Sequence, residues 1–324
     1  MDTIRERLAS FPRLRNSLLP TPVHRLDHLS DEHGVEVFCK RDDLTGFGFG
    51  GNKTRKLDFL LAHAQSLECD TLIAIGANQS NFCRMAASYG MAAGLEVHLV
   101  LGGSEPAVPT GNLRLDHLLG VRCHHVDSTD WDDWARAAER LEDELASRGR
   151  KVYRMPVGGS TPRGALGYVD AFGEILRDQS RLGVEFCAML HASSSAGTQA
   201  GLLAGQAIGG WAGEVLGVSV AKPKTELENE VLELARATAA DLGAAVEASR
   251  VAVDERYMGP AYAVRTPECE EAVALFAQRY GIFLDYVYSG KAAAALIDYL
   301  RKGRFEKGAA VLFIHTGGNV ELFE

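Results

Sequence analysis

The residue with the clearest potential for chemistry is Lys53, which directly follows two glycines and an asparagine. The apolar periodicity downstream predicts a helix over 54–68, so Lys53 lies at a helix start. The positive end of the helix dipole favours the neutral amine, which is the form of lysine that attacks a carbonyl carbon. From spacing alone, the ordinary interpretation is favoured: a solvated lysine among the three cations of residues 53–56.

A second candidate is the loop 76–81, which follows a strand predicted over 71–75. Its small and polar residues offer backbone N–H groups and short side-chain donors at the start of a predicted helix, and these suit a carboxylate. The alternative is simple capping of that helix by Ser80 or Asn81, which is common.

The loop 191–198 has the composition of a phosphate site. It follows a strand predicted over 185–190, and its small residues expose backbone amides at the start of a predicted helix. The hydroxyls of Ser195 and Thr198 can add hydrogen bonds, whereas the absence of a following lysine excludes a Walker A loop. The alternative is a small-residue turn that lets the helix approach the sheet.

Two further patterns are less specific. Tyr288 and the segment 315–318 place hydroxyls near predicted strand ends, where they could act as acid/base groups or as packing residues. Gly46, Gly48 and Gly51 match G-x-G-x-x-G, but no acidic residue stands at a strand end about 20 residues on. This weakens the interpretation as a dinucleotide site.

The elements that must position these loops alternate along the chain, which predicts an α/β fold with a mostly parallel sheet and helices on both faces. Short apolar runs predict strands over 35–40, 71–75, 96–101, 121–126, 185–190, 214–218 and 309–314. Helical periodicity is found at 54–68, 80–93, 111–119, 131–149, 163–182, 197–209, 225–242, 267–280 and 290–302.

Glycine-rich stretches at 46–51 and 156–167 bracket a block with several strands of its own. We therefore predict a small domain over 56–159, inserted into a larger domain formed by 1–55 and 160–324. Lys53 would lie near their junction.

Composition excludes several classes of protein. The 34 Lys and Arg against 43 Asp and Glu give a net charge of −9, which argues against a nucleic-acid partner. The six cysteines are scattered singly, so neither a disulfide framework nor a metal site is expected. No segment approaches the ~20 apolar residues of a membrane helix, and the charged start lacks a secretion signal's apolar region. We expect a cytoplasmic protein with no membrane partner.

Read together and in order, the motifs resemble the pyridoxal-phosphate enzymes grouped as aminocyclopropane-carboxylate deaminase and D-cysteine desulfhydrase. The segments that carry the resemblance are GGNKTRKLDFL (50–60), GANQSN (76–81), PVGGST and GALGYV (within 156–169), SSAGTQAG (194–201), LDYVYSGKA (284–292) and FIHTGG (313–318). The resemblance implies fold type II, the tryptophan-synthase β-like architecture with two open twisted sheets, and a homodimer. It also implies pyridoxal 5'-phosphate as cofactor and a small amino acid as substrate.

The resemblance replaces the ordinary interpretation of Lys53, which would hold the cofactor as a Schiff base. Asn81 and Asn52 would contact the cofactor's ring hydroxyl or the carboxylate side of the substrate, and Ser80 would lie beside the substrate. The residues implied to bind the phosphate are Ser194, Ser195, Ala196, Gly197 and Thr198. The residues implied to bind substrate are Asn78, Gln79, Ser80, Asn81 and Gly159.

The resemblance also suggests two active-site tyrosines, Tyr288 and Tyr262, and a hydroxyl partner for the pyridine nitrogen, Ser289 or Thr316. In the true deaminases a glutamate stands where this chain has Ser289. A hydroxyl leaves the nitrogen largely unprotonated, which suits β-elimination better than the opening of a cyclopropane. The expected enzyme is therefore a carbon–sulfur lyase that forms pyruvate and ammonia, with D-cysteine as the favoured substrate.

Several departures from the family leave the substrate and its handedness open. They are Asn78, Phe82, Tyr286 and the segment 319–321, where relatives commonly have Ala-Pro-Ala. A sulfonate such as L-cysteate, or aminocyclopropane-carboxylate, is an alternative substrate, and an anionic group would need a cation. The candidates are Arg84, Lys56, Arg163 and Lys222. From other classes, a dinucleotide-dependent oxidoreductase and a catalytically silent amino-acid-binding relative are kept as hypotheses.

Overall fold

The computed structural model describes residues 3–324, and a six-stranded sheet forms its larger half. The strands lie in the order β1-β2-β10-β7-β8-β9, and all neighbours are parallel except β1 and β2. Their bounds are β1 Val23–Arg25, β2 Glu36–Arg41, β7 Phe186–Ser193, β8 Glu214–Ser219, β9 Ala252–Asp254 and β10 Ala310–His315.

A second, four-stranded sheet is parallel throughout and has the order β5-β4-β3-β6. Its strands are β3 Thr71–Ala77, β4 Glu96–Gly102, β5 Arg122–Val126 and β6 Val152–Met155. All four strands fall inside the predicted small domain, whereas the helix that contains Lys53 crosses its predicted boundary at residue 56. The division into 1–55 plus 160–324 and 56–159 therefore stays a prediction.

Helices cover both faces of both sheets, as expected for parallel sheets. Their bounds are α1 Thr3–Leu8, α2 Asp27–His33, α3 Asn52–Ser66, α4 Asn81–Ala92, α5 Gly111–Leu118, α6 Trp131–Ser147, α7 Pro162–Leu182, α8 Gly197–Gly209, α9 Lys224–Asp241, α10 Pro267–Tyr280 and α11 Ser289–Arg301. Short 3-10 helices lie at Asp42–Leu44, Phe47–Phe49, Val157–Gly159, Ala248–Arg250 and Asn319–Phe323.

The core follows the alternation of side chains along the strands. In β10, Leu312 packs with α1, α7, α8 and α9, while the next residue, Phe313, packs with α2, α10 and α11 on the opposite face. In the smaller sheet, α3, α4 and α5 cover one face and α6 covers the other. Among the described residues, no helix combines the length and apolarity needed to span a bilayer.

The sequence predictions of the elements are confirmed for seven strands and nine helices, whose observed ends lie within three residues of the predicted ones. Five short elements were missed: α1, α2, β1, β6 and β9, each of three to seven residues. Elements of this length contain too few residues to display a period, so tertiary packing defines them.

Helix α3 is fixed in place by a buried ionic cluster two residues from Lys53. Both oxygens of Asp42 accept hydrogen bonds from Arg55, at 2.8 and 2.9 Å, and both oxygens of Glu174 do so at 2.9 and 3.0 Å. The hydroxyl of Tyr168 also donates to Asp42, at 2.6 Å. These contacts connect the start of α3 to the end of β2 and to α7, so the position of Lys53 is set by buried charges as well as by packing.

Candidate active site

A cavity that opens to solvent lies where the carboxyl ends of the two sheets face each other. Strand-end loops and helix starts form its walls, which is where ligands bind in open parallel sheets. Its lining residues are Asn52, Lys53, Gly76, Ala77, Ser80, Asn81, Phe82, Trp131, Trp134, Val157, Gly158, Ala192, Ser193, Ser194, Ser195, Ala196, Gly197, Thr198, Tyr262, Tyr288, Thr316, Gly317 and Gly318.

The structure thus brings most of the sequence-predicted site residues to one cavity. Lys53 lies at the second position of α3, with its ammonium nitrogen 3.2 Å from Asn52 Oδ1. Burial lowers the pKa of Lys53 to about 8, against a smaller opposing effect of Glu321. A substantial fraction of this amine is therefore neutral near pH 8, as a group that attacks a carbonyl carbon requires.

Asn52 joins three parts of the site. Its side-chain amide donates to Thr198 Oγ1 at 3.0 Å, its side-chain oxygen accepts from Lys53, and its backbone N–H donates to the carbonyl of Thr316 at 2.9 Å. The start of α3 is thereby held against the loop before α8 and against the end of β10.

The loop 193–198 has the features of an anion cradle. Ala196 adopts a positive φ of 64°, which is unusual for a residue other than glycine and turns the chain into the first turn of α8. The first N–H groups of a helix have no intrahelical acceptor. The hydroxyl of Ser195 receives a hydrogen bond from Ser160 at 2.9 Å, and a Cβ at Gly158 would lie 2.2 Å from that Ser195 oxygen.

Lys56 provides the strongest sign that an anion belongs there. It is fully buried, yet its ammonium nitrogen contacts only neutral oxygens, Gly158 O at 3.1 Å and Ser160 Oγ at 3.4 Å. A Cβ at Gly197 would lie 2.5 Å from this nitrogen, so the ammonium faces the loop before α8. Burial, followed by the nearby Lys53, lowers the pKa of Lys56 well below its usual value. A phosphate in the cradle would supply the missing counter-charge.

Two tyrosines and a threonine line the opposite wall. The hydroxyls of Tyr262, which is exposed, and Tyr288, which is half-buried, are hydrogen-bonded to each other. Both phenols are protonated at neutral pH, since their usual pKa is about 10; one donates to the other, and the second keeps a proton to donate into the cavity. Thr316, directly after β10, also lines the cavity.

Ser289, the other predicted partner of the pyridine nitrogen, does not line the cavity. Its hydroxyl donates to Asp285 Oδ2 and accepts from the backbone N–H of Asp285 at 3.0 Å. Because its proton is committed to Asp285, the Ser289 hydroxyl is not free to donate elsewhere. Of the two predicted partners, Thr316 lines the cavity.

The loop between β3 and α4 divides into two parts. Ser80 caps α4 by accepting from Cys83 N at 3.2 Å, and Ser80 and Asn81 both line the cavity. Asn78 instead donates to the carbonyl of Ser104 at 2.8 Å. Gln79 contacts α5, where its side-chain oxygen accepts from Asn112 N at 2.8 Å. Asn78, Gln79 and also Gly159 lie outside the cavity lining, although all three were predicted to bind substrate.

Sequence reasoning missed two further features of the wall. Trp131 and Trp134, at the start of α6, line the cavity with their rings 6.1 Å apart, and a wider cleft that they share with Tyr262 and Val157 continues outward. Their signal was weak, since tryptophans after a strand are equally typical of core packing. The role of Lys56 beside the phosphate loop was also missed, although its spacing of three from Lys53 places both on one face of α3.

The cations considered for an anionic β-substituent are engaged elsewhere. Arg84 donates to Asn112 Oδ1 at 2.8 Å and to Gly50 O at 3.2 Å. Arg163 stacks on Phe11, 4.6 Å from the ring centroid, and Lys222, which lines the adjoining cleft, lies 4.8 Å from the centroid of Trp131 and 3.3 Å from Glu226. Within residues 3–324, the lining of this cavity contains one formal cation, Lys53, and no carboxylate.

Comparisons with known proteins agree with this site. Residues 14–317 match the family described as "Pyridoxal-phosphate dependent enzyme". A putative 1-aminocyclopropane-1-carboxylate deaminase of Pyrococcus furiosus is 38% identical over 97% of this chain and 94% of its own length. A D-cysteine desulfhydrase of Klebsiella pneumoniae is 40% identical over 98% of this chain and 97% of its own length.

Solved structures define the architecture. A crystal structure described as an ACC deaminase homologue has a TM-score of 0.93 at 38% identity, covering 99% of this chain and 96% of its own. Threonine deaminase isoform 2 of Solanum lycopersicum, at 15% identity and a TM-score of 0.70, shares the fold over 98% of this chain and 85% of its own. The fold is that of the type II pyridoxal-phosphate enzymes, as predicted.

The chain belongs to the family of pyridoxal-phosphate-dependent enzymes, and within it to the lyases and deaminases. Its cofactor is pyridoxal phosphate, and the residues present fit that group: a partly neutral lysine on one side, and a buried cation without a counter-charge facing a cradle of amides and hydroxyls on the other. This assignment replaces the dinucleotide hypothesis based on Gly46, Gly48 and Gly51.

Proposed function

We propose that this protein is a D-cysteine desulfhydrase, which converts D-cysteine and water to hydrogen sulfide, pyruvate and ammonia. The observation that carries the proposal is the charge of the cavity lining, in which Lys53 is the one formal cation and no acidic side chain is present among the described residues. The 40% identity to a D-cysteine desulfhydrase supports the same substrate and its handedness.

Different residues around the cavity would bind the phosphate, the aldehyde carbon and the substrate carboxylate. Lys56 and the loop Ser194–Thr198 would hold the phosphate, and Lys53 would bond to the cofactor's aldehyde carbon. Ser80 and Asn81 at the start of α4 would bind the substrate carboxylate, because the N-terminus of a helix attracts anions.

Bound pyridoxal phosphate supplies an electron sink that acidifies the α-hydrogen of the amino acid. Once the substrate amine has displaced it, Lys53 is the basic group of the cavity and takes the α-proton at Nζ. The electron pair of the broken Cα–H bond forms the Cα–Cβ double bond, and sulfide leaves with the electrons of the Cβ–S bond. Tyr288 and Tyr262, which keep their protons at neutral pH, can donate a hydrogen bond to the departing sulfur.

The lack of a carboxylate in the wall favours elimination over ring opening. If Thr316 were the neighbour of the pyridine nitrogen, that nitrogen would meet a neutral hydroxyl, and the lining formed by the described residues would supply no acid to keep it protonated. Elimination needs less electron withdrawal by the pyridine ring of the cofactor, because the leaving group itself accepts the electron pair. The wall equally lacks a cation for a sulfonate, so L-cysteate is disfavoured.

The second candidate is aminocyclopropane-carboxylate deaminase, which the 38% identity to the Pyrococcus furiosus protein favours. Both activities would use the same lysine and phosphate cradle, and they would differ in the substrate and in the group that faces the pyridine nitrogen. Homodimeric assembly and a cytoplasmic location stay predictions.

An assay of ammonia release, with the 2-oxo acid identified, tests the proposal, because aminocyclopropane-carboxylate would give 2-oxobutanoate where the cysteine substrates give pyruvate. We expect the holoenzyme to turn over D-cysteine with the release of equimolar sulfide and pyruvate, and to give at least ten-fold lower kcat/KM with L-cysteine, L-cysteate and aminocyclopropane-carboxylate. Lys53→Ala should abolish the activity, while the surface variant Lys302→Ala should retain it. Turnover of aminocyclopropane-carboxylate in preference to D-cysteine would replace the proposal by the second candidate, and preference for cysteate would contradict the argument from charge.

A further inference from the structure

Glu321 is a buried carboxyl group beside the cavity to which the reaction assigns no role. It lies in the last 3-10 turn, Asn319–Phe323, and is 6% exposed. Its Oε1 accepts a hydrogen bond from Asn81 Nδ2 at 2.6 Å, and its carboxyl group also contacts that of Asp285. This bond joins the segment after β10, in the larger sheet, to the first residue of α4, which packs on the smaller sheet.

The neighbours of Glu321 determine its charge. Asp285 lies beside it and accepts hydrogen bonds from the backbone N–H groups of Val287, Tyr288 and Ser289, and from the Ser289 hydroxyl. With four donors, Asp285 is the member of the pair that is stable as an anion. Glu321 has one donor, and a second buried negative charge beside Asp285 would be unfavourable. Glu321 therefore holds a proton, in agreement with the pKa raised by burial and by Asp285.

The other charged and titratable groups that act on Glu321 leave this assignment unchanged. Arg84 lowers its pKa by less than burial raises it, and Glu324 raises it further. Lys53, Tyr262 and Tyr288 are the titratable groups that act on Glu321 from the cavity side.

Asn81 is held from both sides. While its Nδ2 donates to Glu321, its Oδ1 accepts from Asn112 Nδ2 at 3.2 Å, and Asn112 Oδ1 in turn accepts from Arg84. The amide plane of Asn81 can satisfy both neighbours in one orientation only, because the oxygen and nitrogen cannot be exchanged without losing both bonds. The orientation of Asn81 thus depends on Glu321 and Asn112 together.

We propose that Glu321 is a positioning residue which, as a neutral carboxylic acid, holds Asn81 and the first turn of α4 in the orientation that binds the substrate carboxylate. The carboxylate role of this turn rests on the proposed function. The hydrogen bond between Glu321 and Asn81 is present in the folded chain, so its effect can be measured without substrate.

The test compares Glu321→Met, which keeps the volume and removes the hydrogen bond, with Glu321→Gln, which keeps a neutral acceptor. Glu324→Met is the matched control in the same segment. In the cofactor-free protein, hydrogen exchange of the amides of Arg84 and Met85 should be on the order of five-fold faster in Glu321→Met, since one hydrogen bond is lost. The exchange rates should stay at wild-type values in Glu321→Gln and Glu324→Met.

Kinetics of the loaded enzyme supply the second measurement. Glu321→Met should raise KM for the amino acid about ten-fold with kcat within about two-fold. Glu321→Gln should restore KM. Unchanged hydrogen-exchange rates and an unchanged KM in Glu321→Met would overturn the inference. A Glu321→Gln protein that behaves like Glu321→Met would show that Glu321 does not act as a neutral carboxylic acid.

The two hypotheses fail in different ways. If the wild-type protein releases no pyruvate from any amino acid, the proposed function is wrong. The hydrogen-exchange measurement still tests whether Glu321 holds Asn81 in place. If Glu321→Met does not fold, Asn81→Ala removes the same hydrogen bond from its other end and should give the same increase in the hydrogen-exchange rate. Adding Glu321→Gln to Asn81→Ala should then change the rate no further.

Discussion

Lys53 shows how a local environment changes an ordinary side chain. Its amine is shielded from water by the cavity walls, and its neighbour Asn52 offers a neutral oxygen in place of a carboxylate. Burial therefore outweighs every compensating charge and brings the pKa to about 8. A surface lysine would be almost entirely charged at that pH, since its pKa is about 10.4.

The rate at which cofactor-free protein takes up pyridoxal phosphate should follow this pKa. The neutral amine is the reactive form, so the rate at saturating cofactor should rise between about pH 7 and pH 9 and level off above, with a midpoint near 8. Rapid-mixing absorbance of the visible band measures it. A rate that still climbs ten-fold per pH unit at pH 9.5 would mean an unperturbed lysine, and Lys53→Ala, which should form no band, is the control.

At the level of helices and strands, the sequence predicts the position of local motifs but not contacts between distant segments. The motifs around Lys53, 76–81 and 194–201 are contiguous stretches at the boundaries of long periodic elements, so their placement at strand ends was predictable. Glu321 and Asn81 are 240 residues apart in the chain, and their contact depends on two sheets meeting. No local pattern contains that information.

The same limit applies to orientation within an element. Asn78 and Gln79 belong to the motif next to Ser80, yet their side chains turn toward the loop after β4 and toward α5. The direction of each side chain in an irregular loop depends on the hydrogen-bond partners that the fold brings close. A residue-by-residue transfer from a motif therefore overestimates the number of residues that reach the cavity.

The anchoring of α3 can be tested through Arg55. Arg55→Met should lower the free energy of unfolding at pH 7 by about 3–5 kcal/mol, because buried Asp42 would lose its ion pair and Glu174 would keep only its pair with Lys40 at 3.2 Å. Denaturant unfolding gives the value. Arg148→Met, which removes an exposed pair with Glu144, should be close to neutral.

The loss in Arg55→Met should also depend on pH in a defined direction. In the wild-type protein the ion pairs lower the pKa of Asp42 and of Glu174 below their usual values. Their contribution to stability is therefore present above about pH 4 and is lost as the pH falls through the lowered pKa values. The difference between the two proteins should shrink in acid, and a constant difference would show that Arg55 acts by packing alone.

At the scale of the whole molecule, the cofactor is expected to contact elements of both sheets: α3, the loop before α8, the end of β10 and the start of α4. A ligand that binds only the folded chain stabilises it by about 2.7 kcal/mol at 100 times its dissociation constant. Pyridoxal phosphate should therefore raise the thermal midpoint of the cofactor-free protein by a few degrees, increasing with the logarithm of concentration.

The contribution of the phosphate to this stabilisation can be separated from that of the aldehyde. Lys56 is buried without a counter-charge, so only a ligand with a phosphate relieves the cost of its burial. Pyridoxal, which lacks the phosphate, should raise the midpoint much less at equal concentration, and Lys56→Met should remove most of the difference between the two ligands. Differential scanning fluorimetry over a concentration series measures both effects. Equal stabilisation by pyridoxal and pyridoxal phosphate would mean that the loop before α8 does not serve as the phosphate site.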